Sequence, residues 1–259
     1  MTRIKERFNS SKQLIPYVMG GFPDIEGTKK IIHALVKAGC EIIEIGIPYS
    51  DPLADGPTIQ RASEAALEKG TGTLDVFSII KETKAKDDYS PVLMVYYNLI
   101  YKYGVKKFAN LAKESGVEGV IVPDLSVEDS RPWIEAAKEF DLDTIFLVAP
   151  TSSAERTAMI AEVSKGFIYC VSLTGVTGAR KKLSSNLLSF IERIKNSTDE
   201  PIAVGFGISD ASQAKEISAV SNGVIIGSAF IDLIDKAQSI EEGVSDLEEL
   251  AGNIIQTIR

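Results

Sequence analysis

A short unit recurs along the chain, and it constrains the fold more than any other feature. A glycine is followed by a β-branched run that ends at another glycine or a proline, as in 39–46, 116–123 and 223–227. The first glycine suits the residue just after a helix, where a positive φ is favoured. The Val and Ile run suits a strand covered on both faces. The repeat therefore predicts parallel strands that alternate with helices.

The number of strands distinguishes a closed barrel from an open sheet. Strands are predicted near residues 14–19, 41–46, 91–96, 119–123, 143–149, 167–172, 202–206 and 223–226, with amphipathic helical stretches between them. Eight strands, and no GxGxxG turn after the first, favour a barrel over an open doubly wound sheet. We therefore predict an α/β fold, a (β/α)8 TIM barrel that forms a single domain over residues 1–259. A short extra helix over residues 1–11 is expected to precede it.

Charge and composition narrow the classes of function. The net charge of −8 argues against nucleic acid or an anionic membrane surface as a partner. The two cysteines, Cys40 and Cys170, have no CxxC spacing, and the first 11 residues lack the apolar core of a signal peptide. A cytoplasmic location is the expectation. The single histidine, His33, lies in an amphipathic helical segment, 29–38, away from any strand end, which argues against a histidine-based metal site or a catalytic triad.

An acidic residue interrupts the second predicted strand. Alternation puts Ile43 and Ile45 on one face and Glu44 on the other, so Glu44 is expected to point into the barrel near its C-terminal mouth. Burial there would raise the pKa of the carboxyl toward neutrality and suit it to proton transfer. The alternative, in which Glu44 faces outward and pairs with a helix lysine, would turn both isoleucines into the barrel and leave the charge between helices.

The loop after this strand contains three prolines, which limit its conformations. Asp51 and Asp55 lie in this loop. They either only form turns or belong to a site at the mouth of the barrel. Glycines at the ends of the last two strands, Gly205, Gly207 and Gly227, precede a short helix and predict a phosphate site, although tight turns alone would also use glycine. The Gly-rich, basic segment 174–182 is interpreted as a lid over a phosphorylated ligand.

These motifs resemble one family. The segment from Glu44 to Gln60, EIGIPYSDPLADGPTIQ, is similar to the signature of the tryptophan synthase α subunit, and GVTG at 175–178, GFGIS at 205–209 and GSA at 227–229 also match in order. The resemblance implies cleavage of indole-3-glycerol phosphate to indole and D-glyceraldehyde 3-phosphate in tryptophan biosynthesis. It also implies an α2β2 tetramer with a β subunit that carries pyridoxal phosphate, and no cofactor or metal in this chain.

The resemblance also implies roles for individual residues. Glu44 would be the general acid–base, and Asp55 the carboxylate that holds the indole N–H. The substrate would further contact Tyr17, Met94, Tyr169, Thr177 and Phe206. Its phosphate would bind at Gly178, Gly207, Gly227 and Ser228. Contact with the β subunit is expected at the loop 49–57 and near Asn98, with Asp124 at a position coupled to that interface.

The reaction agrees with the residues present. A retro-aldol cleavage needs a proton donor to the ring carbon, a carboxylate for the ring nitrogen and a base for a hydroxyl proton. Aldolases commonly use a Schiff-base lysine or a metal, and no predicted strand ends in a lysine. Three alternatives stay open: another phosphate-binding barrel such as an isomerase or thiazole-type synthase, a stand-alone indole-releasing lyase, and a non-catalytic subunit that activates a partner.

Overall fold

The computed structural model describes residues 2–171, 185–205 and 207–259. Nine strand segments lie in one parallel sheet with the order β5-β4-β3-β2-β1-β9-β8-β7-β6. They are β1 (Gln13–Met19), β2 (Ile42–Gly46), β3 (Ser90–Met94), β4 (Gly119–Ile121), β5 (Asp143–Ile145), β6 (Leu147–Val148), β7 (Ile168–Val171), β8 (Ile202–Gly205) and β9 (Gly223–Ile226).

The two edges of this sheet belong to one stretch of chain. Only Phe146 separates β5 from β6, and its carbonyl oxygen accepts a 3.0 Å hydrogen bond from the Tyr169 N–H. The segments β5 and β6 therefore act as one strand that pairs with β4 on one side and β7 on the other. The sheet closes into an eight-stranded barrel, which confirms the predicted fold.

Helices follow the strands around the barrel, as the repeat predicts. The predicted glycines end two of them in the left-handed region, with φ of 104° at Gly39 and 96° at Gly116. The helices are α1 (Arg3–Ser10), α2 (Ile25–Ala38), α3 (Pro57–Glu68), α4 (Thr73–Lys84), α5 (Tyr97–Tyr103), α6 (Val105–Ser115), α7 (Arg131–Glu139), α8 (Ala154–Val163), α9 (Ser185–Lys195), α10 (Ala211–Ser218), α11 (Ser228–Lys236) and α12 (Ile240–Ile258).

The predicted extra helix closes one end of the barrel. Ile4 and Phe8 of α1 are buried against the inward-facing side chains of the strands. The ring of Phe8 lies 5.7 Å from that of Phe167, the residue before β7. Since α1 fills the N-terminal end, a ligand can enter at the C-terminal end, where active sites of this fold lie.

Apolar side chains form two layers. The inner layer fills the barrel and contains Ile15, Ile42, Val92, Ile121, Ile145, Ala203 and Ile225. The outer layer packs the strands against the helices and contains Ile43 and Ile45. This division confirms the alternation predicted for β2. Among the described residues, no helix is both long and apolar enough to cross a membrane.

Candidate active site

A cavity of about 470 Å³ opens at the C-terminal mouth of the barrel. Its walls combine apolar side chains with two carboxylates and the start of a helix. The lining residues are Tyr17, Glu44, Ala54, Asp55, Gly56, Pro57, Thr58, Ile59, Met94, Pro123, Leu147, Tyr169, Val171, Gly207, Ile208, Ile225, Gly227 and Ser228. None of these is a lysine or a histidine. This size and mixed lining are typical of a small-molecule site.

Glu44 lies on the inner face of β2, as predicted. Its side chain lines the cavity, and the residue is 1% exposed. Neither carboxyl oxygen has a hydrogen-bond partner among the described residues. Burial, with a smaller contribution from the charge of Asp55, raises the pKa of Glu44 to about 8. At neutral pH the carboxyl is therefore largely protonated and can donate a proton.

Asp55 faces the same cavity from the loop after β2. Burial raises the pKa of its carboxyl, and a hydrogen bond from the Tyr96 hydroxyl opposes that rise. Two further contacts hold this part of the loop: the Ala54 N–H donates to the Tyr96 hydroxyl at 3.0 Å, and the Gln60 amide donates to the Asp55 carbonyl at 2.8 Å. The loop thus presents Asp55 in a defined place.

The sequence did not single out Tyr96, although a signal for it existed. It lies two residues beyond Met94, the last residue of β3, and Met94 lines the cavity. Alternation continued past the end of this strand would have placed Tyr96 on the same side. Its contact with Asp55 could not be foreseen, because it joins two loops that are 41 positions apart in the chain.

Two tyrosines pack in the same way against glycines of the neighbouring strand. Tyr17 of β1 lies over Gly46 of β2, and Tyr169 of β7 lies over Gly205 of β8. A Cβ on Gly46 would overlap the Tyr17 hydroxyl and lie 2.7 Å from Cζ, and a Cβ on Gly205 would lie 2.6 Å from the Tyr169 hydroxyl. Both tyrosine side chains are buried and line the cavity, so these glycines make room for them.

We expect Gly46→Ala to destabilise the protein by about 1–3 kcal/mol, the usual cost of overpacking a well-filled core. The added methyl group would push the Tyr17 ring out of its place. Urea unfolding followed by circular dichroism measures the effect. The matched control is Gly252→Ala in α12, where a Cβ meets nothing within 4 Å and which should be slightly stabilising. A Gly46→Ala variant as stable as the parent would contradict the observed packing.

Three of the predicted phosphate residues line another part of the same cavity. Gly227 directly follows β9 and precedes the first residue of α11, Ser228, and no side-chain hydrogen bond caps this helix start. Gly227, Ser228 and Gly207 all line the cavity. The N–H groups at a helix start favour an anion by hydrogen bonding and by the helix dipole. The arrangement can therefore hold a phosphate.

Other predicted residues divide into three groups. Met94 lines the cavity, together with Tyr17 and Tyr169. Thr177, Gly178 and Phe206, like the lid segment 174–182, lie outside the described residues. His33 lies outside the barrel on α2, where its Nδ1 is 3.0 Å from the Asp87 carboxylate. The histidine is not among the residues that line the cavity.

Comparisons with known proteins agree on one family. The sequence model described as tryptophan synthase alpha chain matches residues 4–259. A tryptophan synthase alpha chain from Thermoanaerobacter sp. (strain X514) is 42% identical over the full length of both chains. This chain belongs to the tryptophan synthase alpha chain family. Membership confirms the resemblance expected from the signature segment and the assignment to tryptophan biosynthesis.

Solved structures of the family share the fold. A Mycobacterium tuberculosis tryptophan synthase structure is 39% identical, covers 100% of this chain and 98% of its own, and has a TM-score of 0.91. A Pyrococcus furiosus chain, from a structure described as the tryptophan synthase α2β2 complex, is 37% identical with a TM-score of 0.88. The alignment covers 95% of this chain and 99% of that one.

Proposed function

We propose that the chain catalyses the retro-aldol cleavage of indole-3-glycerol phosphate to indole and D-glyceraldehyde 3-phosphate. The observation that carries this proposal is Glu44, a buried carboxyl with a pKa of about 8 that shares one cavity with Asp55 and with the start of α11. An aromatic ring fits the apolar walls, a phosphate fits the helix start, and the carboxyl pair faces the same cavity.

The chemistry uses Glu44 twice. In its protonated form it donates a proton to the ring carbon that carries the glycerol chain, which makes the ring an electron acceptor. The resulting carboxylate then takes the proton of the hydroxyl on the adjacent chain carbon. The carbon–carbon bond breaks, its electron pair returns to the ring, and the chain carbon becomes an aldehyde. Protons balance, so no oxidant or reductant is needed.

Asp55 supports the ring nitrogen. When the ring carbon is protonated, positive charge develops on the nitrogen, and a nearby carboxylate stabilises it. The Tyr96 hydroxyl donates to the same carboxyl and favours its ionised form. Glu44 and Asp55 together supply, from the chain itself, the proton donor, the base and the stabilising carboxylate that the reaction needs. We therefore propose that no cofactor or metal in this chain takes part.

A β subunit is the proposed partner, as in the α2β2 complex of the Pyrococcus furiosus relative. The proposed contact region adjoins the site. The Tyr49 and Tyr96 rings stack with centroids 5.0 Å apart, and the Asn98 amide donates to the Tyr49 hydroxyl at 3.1 Å. Asp124 accepts a 2.8 Å hydrogen bond from the Tyr97 N–H beside them. Binding of a β subunit at this surface would therefore affect Asp55 through its hydrogen bond with Tyr96.

Incubation of the purified chain with indole-3-glycerol phosphate tests the proposed function. We expect release of indole and glyceraldehyde 3-phosphate by the chain alone, and faster release when a tryptophan synthase β subunit is added. An equal rate with and without that subunit would indicate a stand-alone lyase. Absence of indole in both mixtures, combined with stimulation of the β subunit's own reaction, would indicate a non-catalytic activating subunit and contradict the proposal.

A further inference from the structure

Three neighbouring strands connect the proposed phosphate site to the acid–base residue. The barrel order places β1 between β9, which ends next to Gly227, and β2, which carries Glu44. Tyr17 pairs directly with Glu44 in the register of β1 and β2. On its other side, a Cβ on Gly227 would lie 3.3 Å from the Tyr17 Cβ. Tyr17 therefore lies between the helix start and the carboxyl.

The position of the Tyr17 hydroxyl is unusual for a buried polar group. It lies over Gly46, one inward-facing position beyond Glu44 toward the mouth of the barrel. Tyr17 is 4% exposed. In the described part of the chain, its hydroxyl has one hydrogen-bond acceptor, the Met19 sulfur at 4.0 Å. A thioether is a weak acceptor, so this donor is left nearly unused inside the cavity.

We propose that the Tyr17 hydroxyl donates a hydrogen bond to a hydroxyl of the substrate's glycerol chain, and so makes the site selective for a hydroxylated chain. The inference rests on the proposed function and deepens it. A chain whose phosphate lies at the start of α11 and whose reacting carbon lies at Glu44 must pass across β1. The hydroxyls of that chain then lie beside Tyr17.

The electrostatics of the cavity suit a donor at this place. Burial, and then the nearby charges of Asp55 and Glu44, raise the pKa of Tyr17 well above its ordinary value. The phenol therefore keeps its proton throughout the pH range in which Glu44 titrates. It can donate a hydrogen bond to the substrate oxygen while Glu44 accepts the proton from that oxygen.

Selectivity follows from the cost of an unused donor. A site built around a hydrogen bond disfavours an analogue that lacks the partner group, because the buried donor then has no acceptor. An analogue with a plain propanol chain, indole-3-propanol phosphate, keeps the ring and the phosphate but lacks both chain hydroxyls. The two ligands differ only in the groups that would contact Tyr17.

The test compares Tyr17→Phe with the parent protein. The variant keeps the ring over Gly46 and removes only the hydroxyl. We expect kcat/KM for indole-3-glycerol phosphate to fall by roughly 5- to 100-fold. The Kd of indole-3-propanol phosphate, measured by calorimetry, should not rise by more than about 2-fold, because this ligand makes no hydrogen bond to lose. Tyr89→Phe is the control, since it removes a buried hydroxyl bonded to Thr83 at 2.7 Å, away from the cavity.

Each outcome decides the question. A large loss with the glycerol substrate, together with a propanol Kd that is unchanged or lower, supports the inference. A Tyr17→Phe variant that matches the parent with both ligands overturns it. Equal losses with both ligands also overturn it, because they indicate a distorted cavity and no contact with the chain hydroxyls. A parent protein that releases no indole overturns the proposed function as well, and this result is visible before any variant is measured.

Discussion

Glu44→Gln is expected to lower kcat for indole release by about 10²- to 10⁴-fold at pH 7, the usual contribution of a general acid–base. Glutamine keeps the size of the side chain and fills the same buried position, but it can neither donate a proton to the ring carbon nor accept one from the hydroxyl. Steady-state indole formation from indole-3-glycerol phosphate measures the loss. Binding of indole-3-propanol phosphate should persist, because ring and phosphate contacts remain.

Glu41→Gln is the matched control for this variant. It makes the same chemical change three positions earlier, at the N-terminal end of the barrel, where the Glu41 carboxylate lies near Gln13 and Arg259. Its activity should equal that of the parent. If Glu44→Gln kept a substantial part of the parent kcat, another residue would be the acid–base group and the assigned role of Glu44 would be wrong.

Glu44→Gln is also expected to stabilise the protein at alkaline pH. The fold raises the pKa of Glu44 from 4.5 to about 8, because no described group compensates the buried charge. Between these values the folded state binds the proton more tightly than the unfolded chain, so the stability of the parent falls as the pH rises through this window. Glutamine has no proton to lose and escapes that fall.

The expected size follows from the linkage. At about 1.4 kcal/mol per pKa unit, the gain for Glu44→Gln above pH 8 is at most about 5 kcal/mol. It should shrink toward zero below pH 4.5, where the carboxyl is protonated in both states. Urea unfolding of the parent and the variant at pH 5, 7 and 9 measures the difference. A difference that does not grow with pH, or a less stable variant at pH 9, would show that the carboxyl is not desolvated.

The loss of activity and the gain of stability expected for Glu44→Gln would have the same physical cause. The carboxyl is useful for proton transfer because it lies where its charged form is poorly solvated, and that placement costs folding free energy. Active sites often retain groups that reduce stability in exchange for function. Activity and stability are therefore expected to change in opposite directions at this single position.

Much of the site could be predicted because the relevant signals are local. The alternation of β2 identified Glu44 as inward-facing, since Ile43 and Ile45 have to face the helices. The glycines at 39 and 116 marked helix ends correctly, and the glycine before Ser228 marked the helix start at the cavity. The predicted strands agree with the observed ones to within a few residues at their ends. One strand is interrupted at Phe146, which the periodicity did not show.

The sequence by itself determined the strand and helix periods, the count of strands and the face on which Glu44 lies, because each depends on neighbours within a few positions. Only the tertiary structure decided that the sheet closes through Phe146, that Tyr96 reaches Asp55, and that Tyr17 lies over Gly46. These contacts join segments distant in the chain, and the register between strands sets them. Burial, which raises the pKa of Glu44, likewise exists only once the barrel has closed around it.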